Sequence, residues 1–372
     1  MGRHGDGSVY LRKDGRYSGF ITLENGKRKY FYGKSQKDVL SQIRKALREQ
    51  EQGTFVTGPQ QSIAQYLYEW LKVHKQVVRP RTYERYEAII RLHIIPTLGK
   101  LSLQKLTGQH LQRLYTQKLD SGLSPTTVSA IHNMLHTALD NAIKLGILAR
   151  NVCETVSPPR KFHKEIHPLT PEQVRQLLDA AKGHPQEALF ILALASGMRR
   201  GELLGLKWQD INLDRGVLQV RRALTRMPTG LGYKETEPKT KKSRRSIVLT
   251  SYAVEALKKH RDRQLTMKLV AGDAWEDHDY VFCSPVGKHL NPGHDVLVQL
   301  KKLLQKAGLP DIRFHDLRHS TATLLLSKGV HPKIVQEILG HSEISMTMDT
   351  YSHVLPTMQK DAMDGLNDFF DS

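Results

Sequence analysis

The sequence predicts a multidomain α+β protein built from three segments. Residues 1–57 contain short strand-like runs separated by turn signals and followed by one helix, which predicts a small three-stranded sheet plus helix. Residues 62–156 show helical periodicity throughout, and residues 166–372 show helical patterns around a short β region near residues 217–249. We therefore expect an all-helical middle domain and a mainly helical last domain with a small antiparallel sheet, which 372 residues can accommodate.

The composition favours a polyanionic partner. Lys plus Arg total 56 and Asp plus Glu total 37, so the formal net charge is 56 − 37 = +19. A charge of this size favours nucleic acid, because each neutralised phosphate releases condensed counterions. The two cysteines cannot build a disulfide framework and lack metal-ligand spacing, which indicates a reducing compartment. No apolar run approaches the roughly 20 residues of a membrane span and no signal-peptide pattern opens the chain, so we expect a cytoplasmic protein.

The head segment, residues 1–57, has the pattern of a hairpin-rich mini-domain. The predicted strands are residues 8–12, 17–23 and 27–32. Asn25-Gly26 is a strong hairpin signal, and a helix is predicted from Ser35, with Asp38 as capping-box partner, to about Glu51. Such a ribbon can lie in a DNA groove, so we expect its basic residues to contact phosphates and its tyrosines to form the small core. The basic residues are Arg12, Arg16, Lys27, Arg28 and Lys29, and the tyrosines are Tyr10, Tyr17, Tyr30 and Tyr32.

The middle segment, residues 62–156, has apolar residues at helical spacing, among them Ile63, Leu67 and Leu71. Ser124 and Pro125 supply an N-cap and a first-turn proline ahead of a long helix. The segment also has a basic face, and a second basic linker follows it. The residues that we expect to contact DNA are Arg79, Arg81 and Arg85 on that face, with Arg160 and Lys161 in the linker.

The last segment contains the residue types that metal-free phosphodiester cleavage needs. The transition state places negative charge on nonbridging phosphate oxygens, and arginine stabilises it because its planar fork reaches two oxygens at once. The reaction also needs a nucleophile and a proton donor for the departing oxygen. Candidates are Gly197-Met198-Arg199, His315-Asp316-Leu317-Arg318, Leu339-Gly340-His341 and Tyr351. His315 and Arg318 lie three residues apart on a predicted helix and share a face, and His341 follows a helix that ends at Gly340.

These boxes, in this order, resemble the signatures of the tyrosine recombinases. The His-x-x-Arg, Leu-Gly-His and Thr-Tyr boxes resemble the family's second signature, and Gly-Met-Arg with Glu202 resembles the first. Lys239, in the basic run before residues 246–249, matches the family's β-hairpin lysine. The resemblance implies an arm-type DNA-binding domain at 1–57, a helical core-binding (SAM-like) domain at 62–156, and a catalytic domain with a C-terminal tail helix at 166–372. The head and middle segments are similar to those of integrases from phages and conjugative transposons.

The resemblance implies a site-specific integrase that cuts and rejoins DNA to integrate and excise a mobile element, without metal, cofactor or ATP. Arg199 and Arg318 would hold the scissile phosphate. His315 and His341 would hydrogen-bond its oxygens, and His315 is also a candidate base for the nucleophile. Glu202 is expected to support Arg199.

The remaining implied roles concern the leaving group and the nucleophile. Lys239 would protonate the leaving 5′-oxygen, and Tyr351 would form a 3′-phosphotyrosine link. An unperturbed tyrosine has a pKa of about 10, so its attack needs a cationic setting or a nearby base. The other charges of the lysine run, which we expect to contact the DNA backbone or to be solvated, are Lys241, Lys242, Arg244 and Arg245. Arg200 is the rival to Arg199, and only the family's Gly-x-Arg pattern separates the two.

The implied partners are double-stranded DNA at core and arm-type attachment sites, and three further copies of the chain in a tetramer on two duplexes. The implied location is the nucleoid in the cytoplasm of a bacterial host. The requirement for an excisionase or a host DNA-bending protein stays open. The C-terminal stretch from Leu355 to Phe370 has apolar residues at helical spacing, which pack either on their own domain or on a neighbouring subunit.

Three other interpretations compete with the integrase. His315 and His319 lie at i and i+4 as in a zinc-hydrolase helix, but Asp316 is too short for the expected glutamate and Arg318 would crowd a dication. A type IB topoisomerase shares the nucleophile and the cations, but the helical middle segment and basic head favour a recombinase that recognises two kinds of site. A DNA-binding regulator without catalysis is disfavoured because every expected catalytic position is filled.

Overall fold

A computed structural model describes residues 9–23, 26, 28–51, 61–160, 168–228, 230–237, 244–341 and 344. The chain divides into two compact units, Met1–His163 and Lys164–Ser372. Both units are built mainly from helices. The first has a three-stranded antiparallel sheet in its head segment, and the second has two small antiparallel sheets, which confirms the predicted α+β class. None of the helices within the described ranges is long and apolar enough to cross a membrane.

The head segment folds as a three-stranded antiparallel sheet covered on one face by a helix. Its elements are β1 (Val9–Leu11), β2 (Tyr17–Thr22), β3 (Arg28–Gly33) and α1 (Gln36–Glu51). The predicted helix start is confirmed, because the Asp38 amide donates to the Ser35 hydroxyl at 3.1 Å. Ile21 is buried against Val39 and Ile43 of α1, which makes the small core.

The expectation that the tyrosines form this core is wrong for three of the four. Tyr17 packs against the core, but Tyr10, Tyr30 and Tyr32 are 48%, 43% and 49% exposed. Strand side chains alternate between the two faces of a sheet. The register pairs Tyr10 and Tyr32 with Ser18, whose parity in β2 is opposite to that of Ile21, so these tyrosines lie on the face away from α1.

The middle segment forms a helical domain with one continuous apolar core. Its helices are α2 (Ile63–His74), α3 (Pro80–Ile89), α4 (Ile95–Leu98), α5 (Gly108–Asp120) and α6 (Pro125–Lys144). A π-helical turn at Ile90–Ile94 joins α3 to α4. The predicted cap of α6 is confirmed by a 3.2 Å bond from the Thr127 amide to the Ser124 hydroxyl. The predicted apolar positions Ile63, Leu67 and Leu71 are all buried in this core.

The second unit is a mainly helical domain around two small antiparallel sheets. Its helices are α7 (Pro171–Ala181), α8 (Glu187–Ser196), α9 (Arg200–Leu204), α10 (Ser251–Ala271), α11 (Val298–Lys306), α12 (Phe314–Ser327) and α13 (Pro332–Leu339). Its strands are β4 (Ile211–Asn212), β5 (Val217–Val220), β6 (Ala223–Arg226), β7 (Tyr233–Thr236) and β8 (Arg245–Val248). One sheet has the order β4-β5-β8, and β6 pairs with β7 as a hairpin.

Helix α8 is the centre of this unit and sets the position of the site. Its residues are almost all apolar and buried, so it has no solvent face. Helix α12 packs beside it, and the Thr321 hydroxyl of α12 donates to the Leu194 carbonyl at 2.9 Å. This contact brings the C-terminal end of α8 next to the first turns of α12.

Candidate active site

Three helix ends converge at the candidate site. Helix α8 ends at Gly197, whose φ of +60° is the left-handed conformation that glycine adopts without a steric penalty. Arg199 lies two residues beyond Gly197 and is the N-cap of α9. The first turns of α12 contribute His315 and Arg318, and His341 follows the end of α13.

Arg318 is buried and ties α12 to the end of α8. Only 2% of the residue is exposed, and its guanidinium donates to the Gly197 carbonyl at 2.8 Å. A buried cation is costly unless it is hydrogen-bonded. The bond to the Gly197 carbonyl offsets part of that cost and fixes the position of the guanidinium. The sequence placed Arg318 on the same helical face as His315, and the tertiary structure adds the contact with Gly197.

Arg199 is held by Glu202, as expected. Its guanidinium donates to one carboxylate oxygen at 2.8 Å, and its backbone amide donates to the other at 3.0 Å. The rest of the Arg199 side chain remains reachable, with 38% of it exposed. Burial alone would raise the pKa of Glu202, but Arg245 and Arg199 lower it overall, so the carboxylate is ionised at neutral pH.

His341 is fixed by the turn that ends α13. Gly340 has a φ of +68°, its amide donates to the Glu337 carbonyl at 3.1 Å, and the His341 amide donates to the Gln336 carbonyl at 3.1 Å. These two bonds define a Schellman turn. Arg199 reaches the same turn, since its guanidinium donates to the Gly340 carbonyl at 3.3 Å. Arg199 and His341 are therefore held against each other.

The histidines of the site are neutral at physiological pH. Burial, followed by Arg318 and Arg199, lowers the pKa of His341 to about 3. Partial desolvation of the ring, followed by Arg318 and Arg199, also lowers the pKa of His315; the residue is exposed, so this desolvation is incomplete. His319 packs edge-on against His315, and burial together with His315 lowers the pKa of His319 to about 4. The positive charge of the site therefore comes from its arginines.

The structure separates Arg199 from its rival. The Arg200 guanidinium donates to the Pro292 carbonyl at 3.3 Å, whereas Arg199 contacts the turn that precedes His341. Lys239 and Tyr351 lie outside the described residues. Their positions relative to this site stay predictions.

Arg245 is a site residue that the sequence analysis missed. We expected it to contact DNA or to be solvated, but its side chain is only 6% exposed and bonds to Glu202 at 3.0 Å. A signal was present in the sequence: Arg245 has the parity of Ile247 and Leu249, both of which face the core. Arg244, of opposite parity, is exposed and pairs with Glu237 at 2.8 Å.

The zinc interpretation finds no third ligand among the described residues. Only one group of three donor side chains in that part of the chain is close enough to share an ion, and it comprises His136, Asp140 and Glu154 in the middle segment. His315 and His319 belong to no such group. Asp316 is already engaged, because it accepts from the backbone and the side chain of Arg313 at 2.8 Å each and so begins α12.

The predicted DNA-contacting residues that the structure describes lie at the surface. Two arginines of the head stack on rings of the exposed sheet face, Arg12 over Tyr32 at 5.2 Å and Arg28 over Phe20 at 4.5 Å. Arg16 pairs with Asp14 at 3.0 Å. The other described residues of this set are the half-buried Lys29 and the exposed Arg79, Arg81, Arg85 and Arg160. Those outside the described residues are Lys27, Lys161, Lys241 and Lys242.

Comparison with known proteins agrees with this architecture. Residues 167–358 match the phage integrase family, and residues 62–119 match the phage integrase N-terminal SAM-like domain. A tyrosine recombinase XerC-like protein of Caldanaerobacter subterraneus subsp. tengcongensis is 35% identical over 367 residues, covering 93% of this chain and 94% of the relative. The ICEBs1 integrase of Bacillus subtilis is 28% identical over 296 residues, covering 78% of each chain.

Solved structures share the fold. The Tn1549 transposon integrase in complex with transposon right end DNA has a TM-score of 0.71 at 23% identity, covering 82% of this chain and 100% of that one. A lambda integrase tetramer bound to a Holliday junction has a TM-score of 0.58 at 20% identity, covering 94% and 96%. The chain belongs to the phage integrase family and is a site-specific tyrosine recombinase.

Proposed function

We propose that Arg199, His315, Arg318 and His341 bind the scissile phosphate of double-stranded DNA and that Tyr351 attacks it. The observation that carries this proposal is the convergence of these four side chains from three separate helix ends. Two arginines set beside neutral histidines provide cations and hydrogen-bond donors for a phosphate without a metal. The Arg199 side chain is 38% exposed, and the Arg318 guanidinium is held by its bond to the Gly197 carbonyl.

The cleavage step balances as a transesterification. The Tyr351 oxygen bonds to phosphorus, the bond from phosphorus to the 5′-oxygen breaks, and Lys239 gives that oxygen a proton. His315 takes the tyrosine proton, a role that its lowered pKa permits because the ring is neutral before the step. The 3′-phosphotyrosine link conserves the bond energy, so the 5′-hydroxyl of a partner strand can reverse the step without ATP.

We propose that the head and middle segments choose the DNA site. Phosphate contacts from basic residues position a protein on a duplex but carry little sequence information. The exposed sheet face of the head combines stacked arginines with tyrosines, which suits contact with arm-type sites, while the basic start of α3 suits contact with core sites. The relatives include an integrase tetramer on a Holliday junction, which supports a tetramer on two duplexes for this chain. We also propose that an excisionase or a host DNA-bending protein acts together with this chain. The place of action that we propose is the nucleoid of a bacterial host.

A nicked suicide substrate tests the catalytic proposal. When a short strand diffuses away after cleavage, religation is blocked and a covalent protein–DNA product accumulates. We expect this product with the wild type and none with Tyr351→Phe, which keeps the ring and removes only the nucleophilic oxygen. Tyr252→Phe, at an exposed tyrosine of α10, is the matched control and should cleave normally.

Three outcomes would contradict the proposal. Covalent product with Tyr351→Phe would assign the nucleophile elsewhere. Activity lost to a chelator and restored by zinc would favour the zinc interpretation. Supercoil relaxation without joining of two specific sites would favour a topoisomerase.

A further inference from the structure

We infer that Arg245 is a positioning residue that holds Arg199 and His341 in fixed positions relative to each other. The inference rests on the proposed roles of those two residues. It concerns a side chain that is only 6% exposed. Its contacts join three parts of the chain that are distant in sequence: the first signature box, the strand after the lysine run, and the end of α13.

The first contact acts on Arg199 through Glu202. One Glu202 oxygen accepts from the Arg199 guanidinium, and the other accepts from the Arg245 guanidinium at 3.0 Å. Glu202 is 4% exposed, so its charge must be matched by its neighbours. With Arg199 alone, the pair would be electrically neutral and Arg199 would be committed to Glu202. Arg245 shares the carboxylate and leaves the three groups with one net positive charge, which Arg199 can present to a phosphate.

The second contact acts on His341 through the end of α13. The Arg245 Nε donates to the Ile338 carbonyl at 2.6 Å, one of the carbonyls left open in the last helical turn. A cation there also interacts favourably with the helix dipole. The Arg245 guanidinium lies so close to Gly340 that a β-carbon at position 340 would approach it to 3.0 Å. The turn that carries His341 is therefore packed directly on Arg245.

Arg245 also fixes the end of the basic run that contains Lys239. Arg245 begins β8 and closes the basic run that contains Lys239, six residues earlier. The strand pairs with β5 from its first residue, since Arg245 lies opposite Val220. One buried guanidinium thus anchors the end of the lysine run at the same place where it supports Arg199 and His341.

The test compares Arg245→Gln, Arg245→Lys and a matched control, Arg263→Gln. Arg263 also contacts one carbonyl and one glutamate, His184 at 3.4 Å and Glu187 at 4.0 Å, but at the opposite end of α8. Single-turnover cleavage of the nicked substrate is measured at saturating DNA. We expect Arg245→Gln to lower the rate constant by about 10²-fold, because a displacement of about 1 Å in a group that contacts the reacting atoms can cost that much. Arg245→Lys keeps the charge but cannot reach both partners, so we expect a loss of roughly 10-fold. Arg263→Gln should cleave like the wild type, and thermal unfolding shows that each variant is folded.

A neutral phosphate separates positioning from general damage. In a substrate with a methylphosphonate at the scissile position, one charged oxygen is replaced by methyl, so a cation near it matters less. We expect the loss caused by Arg245→Gln to shrink to below about 10-fold on this substrate, as it would for loss of Arg199 itself. A loss of equal size on both substrates would show that Arg245 acts only through stability, and would overturn the inference.

A second measurement needs no DNA cleavage. The imidazole resonance of His341 is identified by its absence in His341→Gln and followed by NMR against pH. If Arg245 holds Arg199 beside His341, Arg245→Gln should raise the pKa of His341, and Arg263→Gln should leave it unchanged. Failure of the wild type to form a Tyr351-dependent covalent product would sink the proposed function alone. An unchanged cleavage rate and an unchanged His341 titration in Arg245→Gln would sink the positioning role alone.

Discussion

Replacing Gly197 by alanine should damage the site through a single methyl group. An added β-carbon would lie 2.6 Å from the Leu339 Cδ2 atom, far inside van der Waals contact, and Leu339 is fully buried. The backbone φ of +60° adds a second penalty, because the left-handed conformation costs a non-glycine residue about 1–2 kcal/mol. Overpacking of a filled core costs about 1–3 kcal/mol more, so the predicted loss in the free energy of unfolding is about 2–5 kcal/mol.

Gly308→Ala is the matched control for the backbone term. Gly308 follows α11 in the same unit with a φ of +65°, and a β-carbon there would meet nothing within 4 Å. It should therefore cost only the conformational part, about 1–2 kcal/mol. For a unit of this size, 1 kcal/mol corresponds to roughly 2–4 °C in Tm, so Gly197→Ala should unfold about 2–12 °C below the control.

Thermal unfolding of the full chain measures both variants, and suicide-substrate cleavage is followed well below either Tm. The Gly197 carbonyl accepts from Arg318, and Leu339 lies two residues before His341, so the displacement should also slow cleavage in Gly197→Ala. Gly308→Ala should cleave normally. Equal Tm values for the two variants would refute the steric argument, and normal cleavage by a destabilised Gly197→Ala would refute its link to the site.

Three further predictions concern the two neighbouring arginines, His341 and the head segment. Arg199→Ala should lower the cleavage rate constant by about 10²–10³-fold, and Arg200→Ala, whose guanidinium bonds only to the Pro292 carbonyl among the contacts described, by less than about 10-fold; the reverse order would assign the phosphate to Arg200. The pKa of His341 is about 3 in the folded chain against 6.5 ordinarily, so an unfolded chain takes up a proton that the folded chain refuses, and stability falls as pH drops below about 6.5. His341→Asn should therefore lose less Tm than the wild type between about pH 7 and pH 4.5, and identical losses would contradict the assigned pKa. Deleting residues 1–57 should weaken binding to accessory sites and spare the crossover site, and head-dependent affinity should fall roughly 10³-fold from low to physiological salt; a salt-independent head would disprove the phosphate contacts.

Much of the local structure was predictable because it depends on neighbouring residues. Ser35 and Ser124 mark helix starts since a side-chain oxygen caps the amide three residues on, and the structure contains both caps. The shared face of His315 and Arg318 follows from helical spacing alone. Gly340 as the end of α13 follows from the tolerance of glycine for positive φ.

The predictions that failed depend on which face of an element meets another. Tyrosine is typical of a small core, but the strand register places Tyr10, Tyr30 and Tyr32 on the sheet face away from α1. Arg245 belongs to a basic run that is typical of a solvated segment, but its position in β8 places its side chain on the buried face. The charges of the basic run do not by themselves show which residue faces the core; only the alternation of Arg245 with Ile247 and Leu249 does.

The sequence by itself determined the residue types of the site, their order and the family to which the chain belongs, because cleavage of a phosphodiester restricts the chemistry to a few side chains. Only the tertiary structure showed that Arg199 contacts the turn before His341 while Arg200 bonds to the Pro292 carbonyl, and that Glu202 lies between Arg199 and Arg245. Those choices depend on contacts between residues 43 to 141 positions apart, from Arg245 to Glu202 and from Arg199 to Gly340. Such contacts form only when α8, α12, α13 and β8 pack against one another, so they are not encoded by residues that are neighbours in the chain.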